Sequence, residues 1–349
     1  LPPCTTVVML AAASINAVLL VACPPGAPSS GRATPSVGVT TLHLVDEPRG
    51  RRLETEVWYP APPSSSERPE LYLRIFVGHT ARNAAVMPGP PRPLVVMSHG
   101  SGSFRQDLAW LAEDLVRQGF IVAASTHPLN NYGDDHPQRK LQLWERPQDV
   151  SAMLSQILAH PGWRTRVDGE RVGAAGFSLG GYTVLQLAGA RYDVTRARAH
   201  CVTHPDDPVC ASTKGVDRSK IDYRPSGLSY RDVRIKAVMA FAPAGAPATD
   251  PASLSDVTAP IRVFSARADS TLLHPYYGGT WETLLPGKVT VLDGPDHASF
   301  VTRCLPGAWL LPIAACSDPA GVDRKRLHQQ LSEAAVAFFT EQLGPPALN

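Results

Sequence analysis

From about Val37 onward the chain alternates short apolar runs with longer stretches of helical periodicity. Residues 94–97, 120–124 and 172–177 are uninterrupted apolar runs between turn signals, the pattern of strands buried on both faces. Residues 235–241, 261–265 and 289–292 continue that series. Residues 39–45 and 53–59 alternate apolar with polar positions, which predicts two antiparallel edge strands. Between the runs, residues 107–118, 147–160, 179–190 and 324–342 read as helices. In the last of these, Leu327, Leu331, Ala334, Ala335, Phe338 and Phe339 form one apolar stripe. Pro147 stands where a first helical turn tolerates proline. Strands alternating with helices imply an α/β fold with a mostly parallel central sheet and helices on both faces. Sites in such sheets lie at the carboxyl ends of the strands. There is no internal repeat and no heptad run. Two polar segments break the alternation, 127–146 and 191–234. Loops of this length in a compact domain are usually functional or disordered, so both read as walls or a lid over a site.

Residues 5–22 are apolar and nearly uncharged, and end in Leu20-Val21-Ala22-Cys23 before a Pro/Ser/Gly-rich stretch. This reads as an export leader and linker over residues 1–36, left out of the fold. The folded domain is then 37–345, with an insertion at about 191–234. Leu20 to Cys23 resemble a bacterial lipobox, in which the cysteine is lipidated and tethers the domain to a membrane. Ordinary export, or a plain tail or anchor helix, are the alternatives. The expected location is periplasmic, cell-surface or secreted. No stretch after residue 25 is long and apolar enough to span a bilayer.

Composition narrows the classes further. An apolar fraction of 44% excludes a disordered chain. A net charge of +2 leaves no basic stripe for nucleic acid. Six cysteines are too few for a disulfide-built scaffold. Cys201 lies near Cys210 and Cys304 near Cys316, so two short-loop disulfides are the economical pairing, with free buried thiols as the alternative.

The chemistry concentrates at Gly176-Phe177-Ser178-Leu179-Gly180-Gly181, a G-x-S-x-G that follows a strand and opens a helix. Glycines without Cβ let strand and helix approach, and the turn presents the Ser178 hydroxyl. The Leu179 N–H at the helix start would face a developing oxyanion. A serine hydroxyl needs a base, and the base a carboxylate to orient it. His297, just after the last candidate strand, is the best-placed base; His274 and His328 are worse placed. Asp269, after the strand at 261–265, is the expected acid; Asp250 and Asp256 precede that strand, and Asp296 adjoins the base. The loop Ser98-His99-Gly100-Ser101-Gly102-Ser103 follows an earlier strand and should supply a second oxyanion donor, the Ser101 N–H. His99 is expected to hold that loop by hydrogen bonds.

Weaker signals remain. Phe104, Tyr132, Trp144 and Tyr182 are candidates to line an apolar substrate pocket, or plain packing. His200, Cys201, His204 and Cys210 imitate a zinc set, but with irregular spacing, so no metal is expected. No dinucleotide or phosphate-loop fingerprint is present.

At these residues the chain resembles the α/β-hydrolase superfamily. More narrowly it is similar to the bacterial predicted dienelactone hydrolases, themselves similar to platelet-activating factor acetylhydrolase. The carrying segments are Pro93-Leu94-Val95-Val96-Met97-Ser98-His99-Gly100, Glu145-Arg146-Pro147-Gln148-Asp149-Val150, residues 171–182, and 296–300 followed by Cys304 and Cys316. The resemblance implies hydrolysis of small-molecule esters with short to medium acyl chains, through an acyl-enzyme and without a cofactor. Open alternatives are a lipase, a polyester or phthalate-ester hydrolase, a peptidase, or a non-catalytic binding protein on the same scaffold. The expected assembly is a monomer. Dienelactone hydrolases use a cysteine where Ser178 stands. The acetylhydrolases carry their acid one strand earlier, where this chain reads Phe241-Ala242-Pro243-Ala244 with no carboxylate, so Asp269 takes the role.

Overall fold

In the computed structural model, which describes residues 34–346, the uninterrupted apolar runs form the centre of a ten-stranded sheet. The strands are β1 (Ser36–Asp46), β2 (Arg51–Ala61), β3 (Arg68–Tyr72), β4 (Phe76–Arg82), β5 (Arg92–Ser98) and β6 (Ile121–Ser125). Then come a two-residue hairpin, β7 (Asn130–Asn131) and β8 (Asp134–Asp135), outside the main sheet, and β9 (Val167–Phe177), β10 (Ile235–Phe241), β11 (Ile261–Ala266) and β12 (Val289–Leu292). The order is β12-β11-β10-β9-β5-β6-β2-β1-β4-β3. The first six run parallel. Cys23 and the leader lie outside the described residues.

The two alternating strands pair with each other as expected, over Ser36 to Asp46 against Ala61 to Arg51. They are not the edge. β4 joins β1, and β3 closes that side. β3 and β4 escaped the sequence pattern because Arg-Pro-Glu-Leu-Tyr and Phe-Val-Gly-His-Thr-Ala-Arg mix polar and apolar residues without a clean period. Such charged, proline-bearing short strands suit a sheet edge.

Among the described residues there are seven α-helices: α1 (Ala109–Arg117), α2 (Glu145–Ala159), α3 (Leu179–Ala188), α4 (Val194–Thr203), α5 (Pro208–Ser212), α6 (Gly278–Leu284) and α7 (Arg324–Leu343). All residues of β5 and β6 are buried, and successive side chains serve opposite cores. Leu94 and Val96 join the core under α2 and α3, while Val95 and Met97 join the one under α1 and α7. This two-sided burial is why the run is apolar throughout. The segment 191–234, read as a wall or lid, carries α4 and α5. Among the described residues no helix is long and apolar enough to cross a membrane.

A buried polar chain ties β2, α2 and the end of β5 together. Arg51 grips Asp149 through two bonds of 2.6 and 2.7 Å. Asp149 also meets His127 Nδ1 at 2.9 Å, and His127 Nε2 lies 2.9 Å from Ser98 Oγ. Ser98, His127 and Asp149 are all buried. Burial alone would raise the Asp149 pKa, but His127 and Arg51 outweigh it and hold the carboxyl well below the usual range. Burial, helped by Arg146, pushes His127 down to about 4. His127 is therefore neutral, donating from Nδ1 to Asp149 and accepting the Ser98 hydroxyl.

Because the folded-state pKa of His127 is depressed, the unfolded chain takes up the proton first. The stabilisation is complete above about pH 6.5 and is lost as pH falls toward about 4, a difference of roughly 3 kcal/mol. Urea unfolding of wild type and His127→Gln at pH 7 and pH 4.5 should show the acid loss shrinking by about 2–3 kcal/mol in the variant. Equal acid slopes in both proteins would contradict this.

Candidate active site

Ser178 sits between the end of β9 and the start of α3 with φ 55° and ψ −119°. A non-glycine residue in that region carries about 1–3 kcal/mol of strain, so the surroundings must hold it. Its N–H donates to the Phe241 carbonyl at 2.9 Å, and its carbonyl accepts the Ala244 N–H at 3.0 Å. The end of β10 thus clamps the turn. The flanking glycines are required by contact. A Cβ on Gly176 would stand 2.2 Å from the Gly180 carbonyl oxygen, and one on Gly180 1.9 Å from that of Ser98.

His297 opens the short 3-10 helix His297–Phe300, after β12. Its Nε2 lies 2.9 Å from Ser178 Oγ, and its Nδ1 2.7 Å from Asp269 Oδ2. The other Asp269 oxygen accepts the N–H groups of Thr271 (2.9 Å) and Leu272 (2.6 Å), so the carboxylate is fixed in orientation. With the proton on Nδ1 facing Asp269, Nε2 is free to accept from the serine. Asp296 points elsewhere, as expected: its Oδ1 takes the Ser270 and His297 N–H groups. Burial alone would raise its pKa, but these bonds outweigh it and hold it below the usual range.

Ser101, Ser178 and Leu179 line one cavity. The N–H groups of Leu179 and Ser101 make no hydrogen bond to protein among the described residues. The Ser101 N–H belongs to the Gly100–Ser101 peptide, and that peptide is clamped from behind. The Gly100 carbonyl accepts from His99 Nδ1 at 2.7 Å and from the buried Arg146 guanidinium at 3.1 Å. Its own N–H donates to Asp107 at 2.9 Å. In a trans peptide the C=O and N–H point oppositely, so holding the carbonyl aims the Ser101 N–H the other way. His99 Nε2 accepts the His127 N–H, which leaves the His99 proton on Nδ1. His99 thus holds the loop by hydrogen bonds, as its sequence position suggested. Burial, then Arg146 and His127, hold its pKa well below the usual range. Burial pushes Asp107 up to about 7.

The cavity measures about 680 Å³. The insertion supplies much of its wall through Tyr192, Val194, Arg198, Val209 and Tyr223. Cys201–Cys210 staples α4 to α5, and Cys304–Cys316 closes the loop before α7; the Cα–Cα distances are 5.3 and 5.5 Å. Asp207 caps α5 and accepts from His200 (3.0 Å) and Tyr277 (3.2 Å), which anchors the insertion to the body of the domain. His200, Asp207 and Cys210 draw close enough to suggest a metal, but the Cys210 sulfur is committed to its disulfide.

The four aromatic residues expected in the pocket are not in its lining. Phe104 packs on Phe76 in the core, ring centroids 4.7 Å apart. Trp144 is buried behind Tyr192 and Tyr223. Tyr182 is fully buried under Gly245. Tyr132 is 67% exposed at the tip of the β7–β8 hairpin. Aromatic character alone does not separate a residue that touches the cavity from one that supports it. The residues missed in the sequence are those of the clamp, Arg146 and Asp107, together with His127. Their signal was the polar interruption of apolar segments at 99–107 and 127–149.

The parallel sheet, the strand–Ser178–helix turn and the acid beyond a later strand define an α/β-hydrolase fold. A solved structure of similar fold is a ferulic acid esterase from Streptomyces cinnamoneus, with TM-score 0.59 and 24% identity over 92% of this chain and 94% of that one. Residues 72–131 match the family described as platelet-activating factor acetylhydrolase, isoform II. A platelet-activating factor acetylhydrolase of Bos taurus is 27% identical over 160 residues, 33% of this chain and 36% of that protein. One of Gallus gallus is 47% identical over 45 residues, 13% of this chain and 11% of that protein. The matched stretch thus spans about a third of the bovine relative's length.

Gly180→Ala would force a methyl into the Ser98 carbonyl, so either α3 or β5 must shift. The variant should lose about 2 kcal/mol or more of stability, as overpacking does, and react slowly with a fluorophosphonate probe at Ser178. Wild-type melting and labelling would show that the close approach does not matter.

Proposed function

We propose that the chain is a serine hydrolase of carboxylic esters, working through an acyl-enzyme. The observation that carries this reading is the Ser178–His297–Asp269 line of hydrogen bonds at the cavity wall. Ser178 Oγ attacks the ester carbonyl carbon and its proton passes to His297 Nε2. Asp269 keeps the imidazole oriented and stabilises it once charged. The carbonyl oxygen becomes an oxyanion that the Leu179 and Ser101 N–H groups receive. Collapse breaks the bond to the alcohol oxygen, and His297 returns the proton to that oxygen. Water then adds to the acyl-serine, giving its proton to His297, and the carboxylic acid leaves as Ser178 regains the proton.

The names of the acetylhydrolase and esterase relatives support the same reaction class. The cavity volume falls in the range of small-molecule sites and suits short to medium acyl chains. The two disulfides fit an exported protein in an oxidising compartment.

Ser178→Ala should lower kcat for p-nitrophenyl butyrate by about 10⁴-fold or more, and Asp269→Asn by about 10⁴-fold. Activity retained by Ser178→Ala, or fluorophosphonate labelling elsewhere, would sink the mechanism. Arg146 touches no substrate in this scheme and acts through the Gly100 carbonyl. Arg146→Met should therefore lower kcat by about 10- to 100-fold with KM nearly unchanged, less than loss of an oxyanion donor itself. Arg146→Lys should recover part of it. A change in KM alone would assign Arg146 to substrate binding instead.

A further inference from the structure

Part of the wall of the catalytic cavity carries charge that the protein does not answer. Lys140, Arg198 and Arg218 are in its lining, and no aspartate or glutamate is. Lys140 is tied to Asp135 at 2.9 Å. Arg198 and Arg218 meet no carboxylate among the described residues. The Arg198 guanidinium lies over the Tyr223 ring, 4.7 Å from its centroid. Arg218 donates only to the Thr213 carbonyl, at 3.5 Å.

Most acids of the same segment are engaged elsewhere, and Asp206, which meets no cation among the described residues, is exposed and outside the cavity lining. Asp193 caps α4, and Asp207 caps α5 while holding His200 and Tyr277. Asp217 binds Ser219 and Lys220, and Asp222 pairs with Arg224. Arg198, which is exposed, reaches the cavity beside Tyr223, and the half-buried Arg218 reaches it beside Thr213; both of those neighbours also line it. The wall beside them is apolar, with Val194, Ala197 and Val209. Guanidiniums offer paired donors that match a planar carboxylate or a phosphate.

We infer that the part of the cavity wall carrying Arg198 and Arg218 is an anion subsite, and that the preferred esters carry a carboxylate or phosphate group in addition to the scissile ester. The inference rests on the ester-hydrolase reading for its turnover readout, but binding of the anion can be measured without it.

The test compares p-nitrophenyl valerate with mono-p-nitrophenyl glutarate, of equal chain length with and without a terminal carboxylate. The readout is the ratio of their kcat/KM values. Wild type should favour the anionic ester, and Arg198→Gln/Arg218→Gln should lower the ratio by about tenfold or more. Arg198→Lys/Arg218→Lys should restore part of it, since the charge returns without the paired donors. Raising salt from about 0.02 to 0.5 M should reduce the wild-type preference. Pentanoate and pentyl phosphate as competitive inhibitors tell the two anion types apart: whichever binds more tightly, and loses that advantage in the glutamine variant, identifies the group. A ratio unchanged by the double glutamine variant overturns the subsite. If no ester is turned over, the hydrolase reading fails separately. Calorimetry with the same two anions then decides the subsite by whether binding weakens in the glutamine variant.

Discussion

The carbonyl oxygen of Ser98 is the point against which the site is built. A Cβ on Gly180 would come within 1.9 Å of it, so β5 and the first turn of α3 meet backbone to backbone. That contact sets the spacing between the two free N–H groups, Leu179 on the helix and Ser101 on the loop beyond Ser98. It also fixes the backbone that presents the Ser178 hydroxyl. The positive-φ Ser178 persists because the end of β10 and the loop after it hold it on both sides, through the Phe241 carbonyl and the Ala244 N–H. Strain at this residue is thus balanced by bonds from a neighbouring strand, and the sheet's parallel register becomes a condition of the chemistry.

Two serine–histidine–aspartate lines run through the protein, and their difference is instructive. In Ser98–His127–Asp149 every member is buried and Arg51 neutralises the acid. Its histidine is held neutral by burial and has no open face for a substrate. It fastens the strand end on which the oxyanion loop begins. In Ser178–His297–Asp269 the acid is buried and steadied by two backbone N–H groups rather than by a cation. The serine there reaches the cavity wall. The same three residue types therefore build a rivet in one place and, on the proposed reading, a reactive line in the other, and the surroundings decide which.

Most of the parallel sheet was legible because strands buried on both faces must be apolar throughout, as 94–97, 120–124 and 172–177 are. The elbow was legible because a backbone contact this close excludes every side chain. Asp269 and His297 followed from their places after β11 and β12. What stayed hidden depends on which atoms face each other across long sequence separations. Arg146 and Gly100 are 46 residues apart, and nothing local marks the guanidinium as the partner of that carbonyl. The outer strands β3 and β4 were missed because an edge needs polar residues, which erase the period. The aromatic candidates misled for a related reason: Trp144 and Tyr182 are as apolar as a pocket wall but stand one layer behind it.

The division of labour in the molecule follows from this layering. Backbone contacts, buried ion pairs and two glycines fix the reacting atoms, and these leave little room for variation. The cavity, by contrast, is walled largely by a helical insertion that the Cys201–Cys210 staple braces internally and that Asp207, through Tyr277, and the Tyr192–Thr249 bridge tie to the body of the domain. The insertion's lining residues make no contact with the Ser98 carbonyl or the Gly176–Gly180 approach that fix the elbow. Tyr192, Arg198, Arg218 and Tyr223 belong to that segment. On the proposed reading, reaction type is encoded in the sheet and substrate choice in the insertion. For this reason similarity to other hydrolases in the sheet says little about which ester this cavity accepts.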